Sequence, residues 1–228
     1  MDLRPDETVA AISRDLASLS RQDTPSVRRI RQQYSRSLKT TLGDFVMTIV
    51  RGLLAGGGWP ERVIAFEILA SHKAAFELLN DKAVEEMAEG LADWGSIDLF
   101  GVTVLGQAWR EGLVSDRKIQ SWARSQDRWK RRLALVATVP LNSKARGGSG
   151  DARRTLRVCR LLVDDRDDMV VKGMSWALRE LAKTDPASVK GFLKTENGRL
   201  ASRIRREVRN KLTTGLKTPK GTGRRVKL

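Results

Sequence analysis

With one histidine, His72, and one cysteine, Cys159, in 228 residues, the chain builds no intramolecular disulfide, Cys-rich metal cage or His-based zinc site. The same count argues against a Ser-His-Asp triad. Chemistry falls instead to six tryptophans and the charged residues beside them. Trp94 stands four residues before Asp98, Trp129 three before Arg132, and Trp176 four after Lys172, so on helices each indole lies about one turn from a charged neighbour. A lone tryptophan in such a place ordinarily fills a core; several near one face become candidates for ligand contact. In WGSID (94–98), Ser96 is expected to cap a helix and Asp98 to occupy its first turn, where the dipole favours a carboxylate by about 0.3–1 kcal/mol. Yet the chain is strongly basic, and a carboxylate facing a polyanion repels phosphate. Asp98 therefore needs a chemical reason to be there.

The basic excess is +16, from 43 Lys and Arg against 27 Asp and Glu. It amounts to +2 over residues 1–50, −5 over 51–100, +7 over 101–150, +3 over 151–200 and +9 over 201–228. An excess of this size, concentrated in the C-terminal half, points to nucleic acid, because phosphate neutralisation supplies sequence-independent affinity. Arg62, Arg131, Lys172, Arg179, Arg205 and Arg206 are the candidate DNA contacts. The acidic pairs Asp164-Asp165 and Asp167-Asp168 read as a loop and a helix N-terminus rather than a metal site. GGSG (147–150) lacks the Lys and the strand-helix context of a phosphate-binding loop, and Cys159 reads as a small buried apolar residue.

These side chains must be positioned by helices. Apolar residues recur at helical spacing, as in Phe66, Leu69 and Ala70 or Leu133, Val136 and Val139, and strand alternation is nearly absent. Breakers fall at Gly56–Pro60, Asn80-Asp81, residues 142–150 and Asp185-Pro186. Charged residues opening the apolar helices (Arg62, Asp98, Arg132, Lys172) are 36, 34 and 40 apart, a period that suits two-helix repeats of the HEAT kind. The expected fold is all-α, an α-solenoid or superhelix, with the four register positions on one concave face. Residues 1–212 are expected to form a single repeat domain and 213–228 a basic, disordered tail. No apolar run approaches the roughly 20 residues of a membrane helix. The N-terminal segment carries acids and lacks a secretory pattern, so a cytoplasmic, nucleoid-associated location is expected.

The segments WGSID (94–98), RWKRRLALVATV (128–139) and KGMSWALRELAKTDP (172–186) resemble the AlkD-type family of DNA alkylation repair enzymes, bacterial glycosylases built from HEAT-like repeats. The likeness runs from about Arg62 to residue 212. The resemblance implies a monomeric, cofactor-independent, metal-free glycosylase that removes purines alkylated at N3 or N7 from duplex DNA. It also implies the site residues: Trp94 and Asp98, Arg132 after Trp129, and Trp176 before Arg179 and Glu180, with Arg131 as the alternative to Arg132. A cationic purine is already a good leaving group. One carboxylate, Asp98, would then stabilise the oxocarbenium-like sugar and orient water, with Trp94 and Trp176 flanking the lesion and Arg132 holding a phosphate. The stretch 142–154 and the tail depart from the family pattern. The alternative function is a noncatalytic HEAT-like module that binds damaged or branched DNA, and retention of Asp98 speaks against it.

Overall fold

Helical periodicity without strand alternation predicts an all-α chain, and the computed structural model, which describes residues 4–219, contains helices and no strands among them. Its contacts separate two units, Met1–Ser115 and Asp116–Leu228. The first carries α1 (Pro5–Ala17), α2 (Thr24–Ser37), α3 (Gly43–Gly56), α4 (Trp59–Ser71), α5 (Lys73–Phe76), α6 (Asp81–Ala88), α7 (Trp94–Phe100) and α8 (Gly106–Arg110), with a π-helical segment, Gly101–Leu105, joining the last two. The second carries α9 (Asp116–Ala123), α10 (Arg128–Val136), α11 (Val139–Asn142), α12 (Ala152–Leu161), α13 (Asp168–Leu181), α14 (Pro186–Thr195) and α15 (Ser202–Thr214).

The sequence breakers mark helix ends. Gly57 adopts a left-handed conformation, φ 72°, that closes α3, a backbone shape glycine enters without strain. Pro60 lies in the first turn of α4, where a missing N–H removes no helical hydrogen bond. Asn80 accepts from the N–H groups of Lys82 and Ala83 to cap α6, and Asp185 caps α14. The 142–150 stretch is a folded turn. Buried Asn142 donates to the Thr138 carbonyl and the Thr155 hydroxyl and accepts from the Asp151 N–H. Gly148 packs so tightly on the Pro140 carbonyl that a Cβ there would lie 2.2 Å from its oxygen.

Each unit is organised around one largely buried helix. In the first this is α4, with Val63, Ile64, Ala65, Phe66, Ile68 and Leu69 buried against α2, α3, α5 and α7. Phe66 meets Phe100 of α7 with ring centroids 4.9 Å apart. In the second it is α13, packed by α10, α11, α12, α14 and α15. Cys159 is buried, as its sequence context suggests, and desolvation pushes its thiol up to about 12.

Polar contacts repeat the spacing read from the sequence. Arg31 to Glu67, Leu38 to His72, Asp81 to Ser115, Arg131 to Asp165, Asp168 to Arg203 and Ser175 to Glu207 join residues 32–36 apart. A stack in which each helical pair buries its stripe against the next gives this pattern. The last helix extends through Thr214, two residues beyond the expected end of the repeat domain. Residues 215–219 fold back on it, with Asn210 donating to the Lys217 carbonyl. The rest of the expected tail, residues 220–228, lies outside the described residues.

His72 is a structural clasp. Its Nδ1 accepts from the Ala75 N–H, capping α5, and its Nε2 donates to the Leu38 carbonyl. Replacing it with alanine leaves the buried Ala75 N–H unpaired, while the Leu38 carbonyl keeps the bonds it accepts from the Thr41 N–H and hydroxyl, so His72→Ala is expected to lower unfolding free energy by about 1–3 kcal/mol in urea. An unchanged midpoint and slope would show that these two bonds contribute nothing net.

Candidate functional site

The register residues fall at equivalent places in four helices: Arg62 is the fourth residue of α4, and Asp98, Arg132 and Lys172 are the fifth residues of α7, α10 and α13. Three of those helices open on an aspartate five residues earlier. Asp93 accepts from the Ser96 N–H at 2.8 Å, Asp127 from Trp129 at 2.8 Å, and Asp167 from Met169 at 2.8 Å. The expectation that Ser96 caps the helix is therefore corrected, because Asp93 takes the position and α7 starts three residues earlier than a Ser96 cap would have it. Trp94 becomes the first helical residue and Asp98 moves into the second turn. The signal was present as an aspartate five positions before Asp98, Arg132 and Lys172.

Ser96 has another task. It is buried, and its hydroxyl accepts from the Arg62 guanidinium at 2.9 Å, which also reaches the Asp93 carboxylate at 3.3 Å. Arg62 thus fastens the start of α7 to α4. Burial alone would raise the Asp93 carboxyl, but hydrogen bonds from Ser96 and the charge of Arg62 outweigh it and hold the group below its ordinary value. Against this fixed start Trp94 is 63% exposed, with half-buried Asp98 one turn further on. The π-helical segment follows at once, its Gly101, Val104 and Leu105 buried. Such wide turns are rare and frequent at functional sites. Nothing in the residue spacing announced it.

In the second unit, Arg132 is only 5% exposed and its guanidinium donates to the Met169 carbonyl at 2.5 Å, across to the first turn of α13. Arg131 turns the other way, to Asp165 at 2.7 Å and to the carbonyls of Ser125 and Gln126 at 3.0 and 2.8 Å. It braces the loop that enters α10. The Arg128 guanidinium covers the Trp129 ring, 4.9 Å from its centroid. On α13, Lys172 pairs with Asp168 at 2.6 Å, and Trp176 is half-buried. Buried Ser175, beside Trp176, donates to Glu207 of α15 at 2.6 Å and accepts from Arg179 at 3.2 Å. Burial lowers the Arg179 guanidinium, which Glu207 and Glu180 counteract. Arg205 donates to the Asn197 carbonyl at 3.2 Å, and Arg206 is exposed.

The acidic pairs serve as read: Asp167 caps α13, Asp165 takes Arg131, and Asp164 pairs with Arg199. Each unit therefore offers an indole with charged groups about one turn away. Trp94 and Asp98 are on α7, and Arg132 with Trp176 are on the adjoining helices α10 and α13. An electron-rich ring beside a carboxylate suits a cation, and a fixed guanidinium suits an anion.

Residues 22–212 match the family model described as "DNA alkylation repair enzyme". No curated protein matches the chain.

The depressed Asp93 carboxyl has a testable consequence. The ionised form contributes stability above the ordinary value of 3.8, and that contribution is lost as pH falls through the lower folded value. Asparagine keeps the cap but removes the charge opposite Arg62. Asp93→Asn is expected to cost up to about 1 kcal/mol near neutral pH, with the gap from wild type closing below roughly pH 4. A gap that stays constant across the titration would remove the carboxylate's charge from the account.

Proposed function

The chain belongs to the DNA alkylation repair enzyme family, and we propose that it is a monofunctional DNA glycosylase, hydrolysing the N-glycosidic bond of purines alkylated at N3 or N7 in duplex DNA. The observation that carries this reading is on α7: an indole 63% exposed to solvent at the first helical position, one turn from a carboxylate, in a chain of net charge +16.

Alkylation at N3 or N7 gives the purine a positive charge. When the bond from the sugar carbon to the base nitrogen breaks, its electron pair returns to the base and neutralises that charge, so no general acid is needed. Positive charge then develops on the sugar. Asp98 stabilises it and orients the attacking water, whose oxygen forms the new bond to the sugar carbon while its proton passes to solvent. Trp94 and Trp176 flank the lesion's sugar and backbone with their electron-rich faces. Arg132, oriented by the Met169 carbonyl, takes a phosphate next to the lesion. Lys172, Arg179 and Arg206 add backbone contacts. Arg62, Arg131 and Arg205 act at one remove, since their guanidinium groups hold the start of α7, the entry to α10 and the turn before α15. The protein works as a monomer, and neither metal nor cofactor takes part in this scheme.

Single-turnover release of N7-methylguanine from a duplex oligonucleotide, at low salt and without added metal, tests the reading. Wild type should release the base, and Asp98→Asn should bind the duplex equally but react on the order of a hundredfold more slowly. Equal rates would remove Asp98 from the mechanism. Tight duplex binding without release by wild type, on N3-methyladenine duplex as well, would favour a noncatalytic binding module.

Arg132→Ala should weaken duplex binding and take about one unit from the slope of log affinity against log salt. An unchanged slope would mean that the guanidinium serves the Met169 carbonyl and no phosphate.

A further inference from the structure

A cleft of about 500 Å³ opens along α14 and α15, lined by Lys190, Leu193, Lys194, Asn197, Arg209, Leu212 and Thr213. No acidic residue lines it, although several basic side chains of this unit have one nearby: Arg131 has Asp165, Arg153 and Arg154 have Asp116, Lys172 has Asp168, Lys183 has Glu180, and Arg199 has Asp164. Lys190 and Lys194 are exposed and have no hydrogen-bond or ion-pair partner among the described residues. They stand one turn apart on α14, a like-charged pair that costs the helix stability. Across from them the Arg209 guanidinium is held by the Asn197 side-chain oxygen at 2.8 Å, a neutral partner that fixes its direction and leaves its charge uncompensated. Leu193 and Leu212 form an apolar floor.

We infer that this cleft is a second contact for the DNA backbone, in which Lys190 and Lys194 take adjacent phosphates of one strand, Arg209 a third, and the leucine floor lies under the sugars. Charge complementarity selects the occupant. Two ammonium groups roughly 6 Å apart along a helix match a strand that carries an anion at every nucleotide better than they match a single small anion, and the floor is too shallow and open to enclose a free ligand. The contact adds affinity and register without reading sequence. None of its three cations stood out in the residue spacing, because none neighbours a tryptophan or a register position. The inference rests on reading the chain as a duplex-DNA-binding protein.

The test uses undamaged fluorescent duplex, titrated with the full chain over a series of salt concentrations. Lys190→Gln with Lys194→Gln should reduce the salt slope by about two units, near 0.9 for each lost phosphate contact. Lys73→Gln with Lys82→Gln is the control: it removes the same charge from exposed lysines paired with Glu77 and Glu86 and should leave the slope unchanged. An unaltered slope in the cleft variant, or equal losses in both variants, would overturn the inference. So would loss of retention on phosphatidylserine vesicles with duplex binding intact, which would assign the cleft to an anionic membrane. Because the probe carries no lesion, failure of base release with a cleft-dependent slope would overturn the glycosylase reading and leave the cleft standing, and the converse result would do the opposite.

Discussion

The unsatisfied N–H groups at the start of a helix set the terms for this molecule. Asp93, Asp127 and Asp167 each accept from them, and each thereby decides where its helix begins. The consequence is largest at α7. A helix capped by Ser96 would leave Trp94 outside it, and the one-turn relation between Trp94 and Asp98 would not exist. Capping by Asp93 brings both residues into one helix and leaves the Ser96 hydroxyl available to Arg62. The cap, the tie to α4 and the display of the indole are a single arrangement, whose anchor is a carboxylate that no part of the proposed chemistry uses.

The same economy governs the arginines. A net charge of +16 suggests a surface dense in free cations, yet the structure engages many of them internally. Arg31 and Arg28 share Glu67, Arg131 binds a carboxylate and two carbonyls, and Arg166 reaches the Arg199 carbonyl. The guanidinium suits this work because its planar fork serves several acceptors at once. Which arginine braces a loop and which meets a phosphate depends on what stands opposite, and that partner is usually one repeat away. Lysines, as point charges on flexible stems, are left at the surface, and the cleft on α14 and α15 is where they accumulate without acids.

This explains how far the residues alone could be read. The breakers at Gly57, Asn80 and Asp185 and a period of 34–40 were legible because they follow from local backbone chemistry and from burial that repeats. The all-α fold followed from them. The one-turn spacing of Trp129 from Arg132 and of Lys172 from Trp176 was legible from helical periodicity, whereas that of Trp94 from Asp98 depends on the cap at Asp93, which the sequence reading placed at Ser96. The π-helical segment at Gly101–Leu105, which packs on α4, was not legible, because GVTVL reads as ordinary buried helix. Nor were the partners of Arg62 and Arg131, which required knowing which helix faces which. The 142–150 stretch read as a loop but not as one closed by buried Asn142, whose three hydrogen bonds join residues on both sides of it.

A carboxylate in a basic DNA-binding protein carries an electrostatic cost that the proposed reaction turns to use. Two unit charges 4 Å apart interact by about 1 kcal/mol in water and about 4 kcal/mol at an effective dielectric constant near 20. In open solvent, Asp98 therefore repels a passing phosphate only weakly and favours a cationic lesion only weakly. Both effects grow as water leaves. The exposed Trp94 indole is the group positioned to expel it, since the surface it presents in the free protein is apolar and becomes buried once a sugar and backbone lie against it. Covering the indole would then strengthen the field of Asp98 at the moment the sugar acquires charge. In the proposed reaction that coupling would favour an alkylated, positively charged purine over a neutral one without any group to recognise the base itself, so discrimination would reside in charge and bond lability rather than in a fitted pocket.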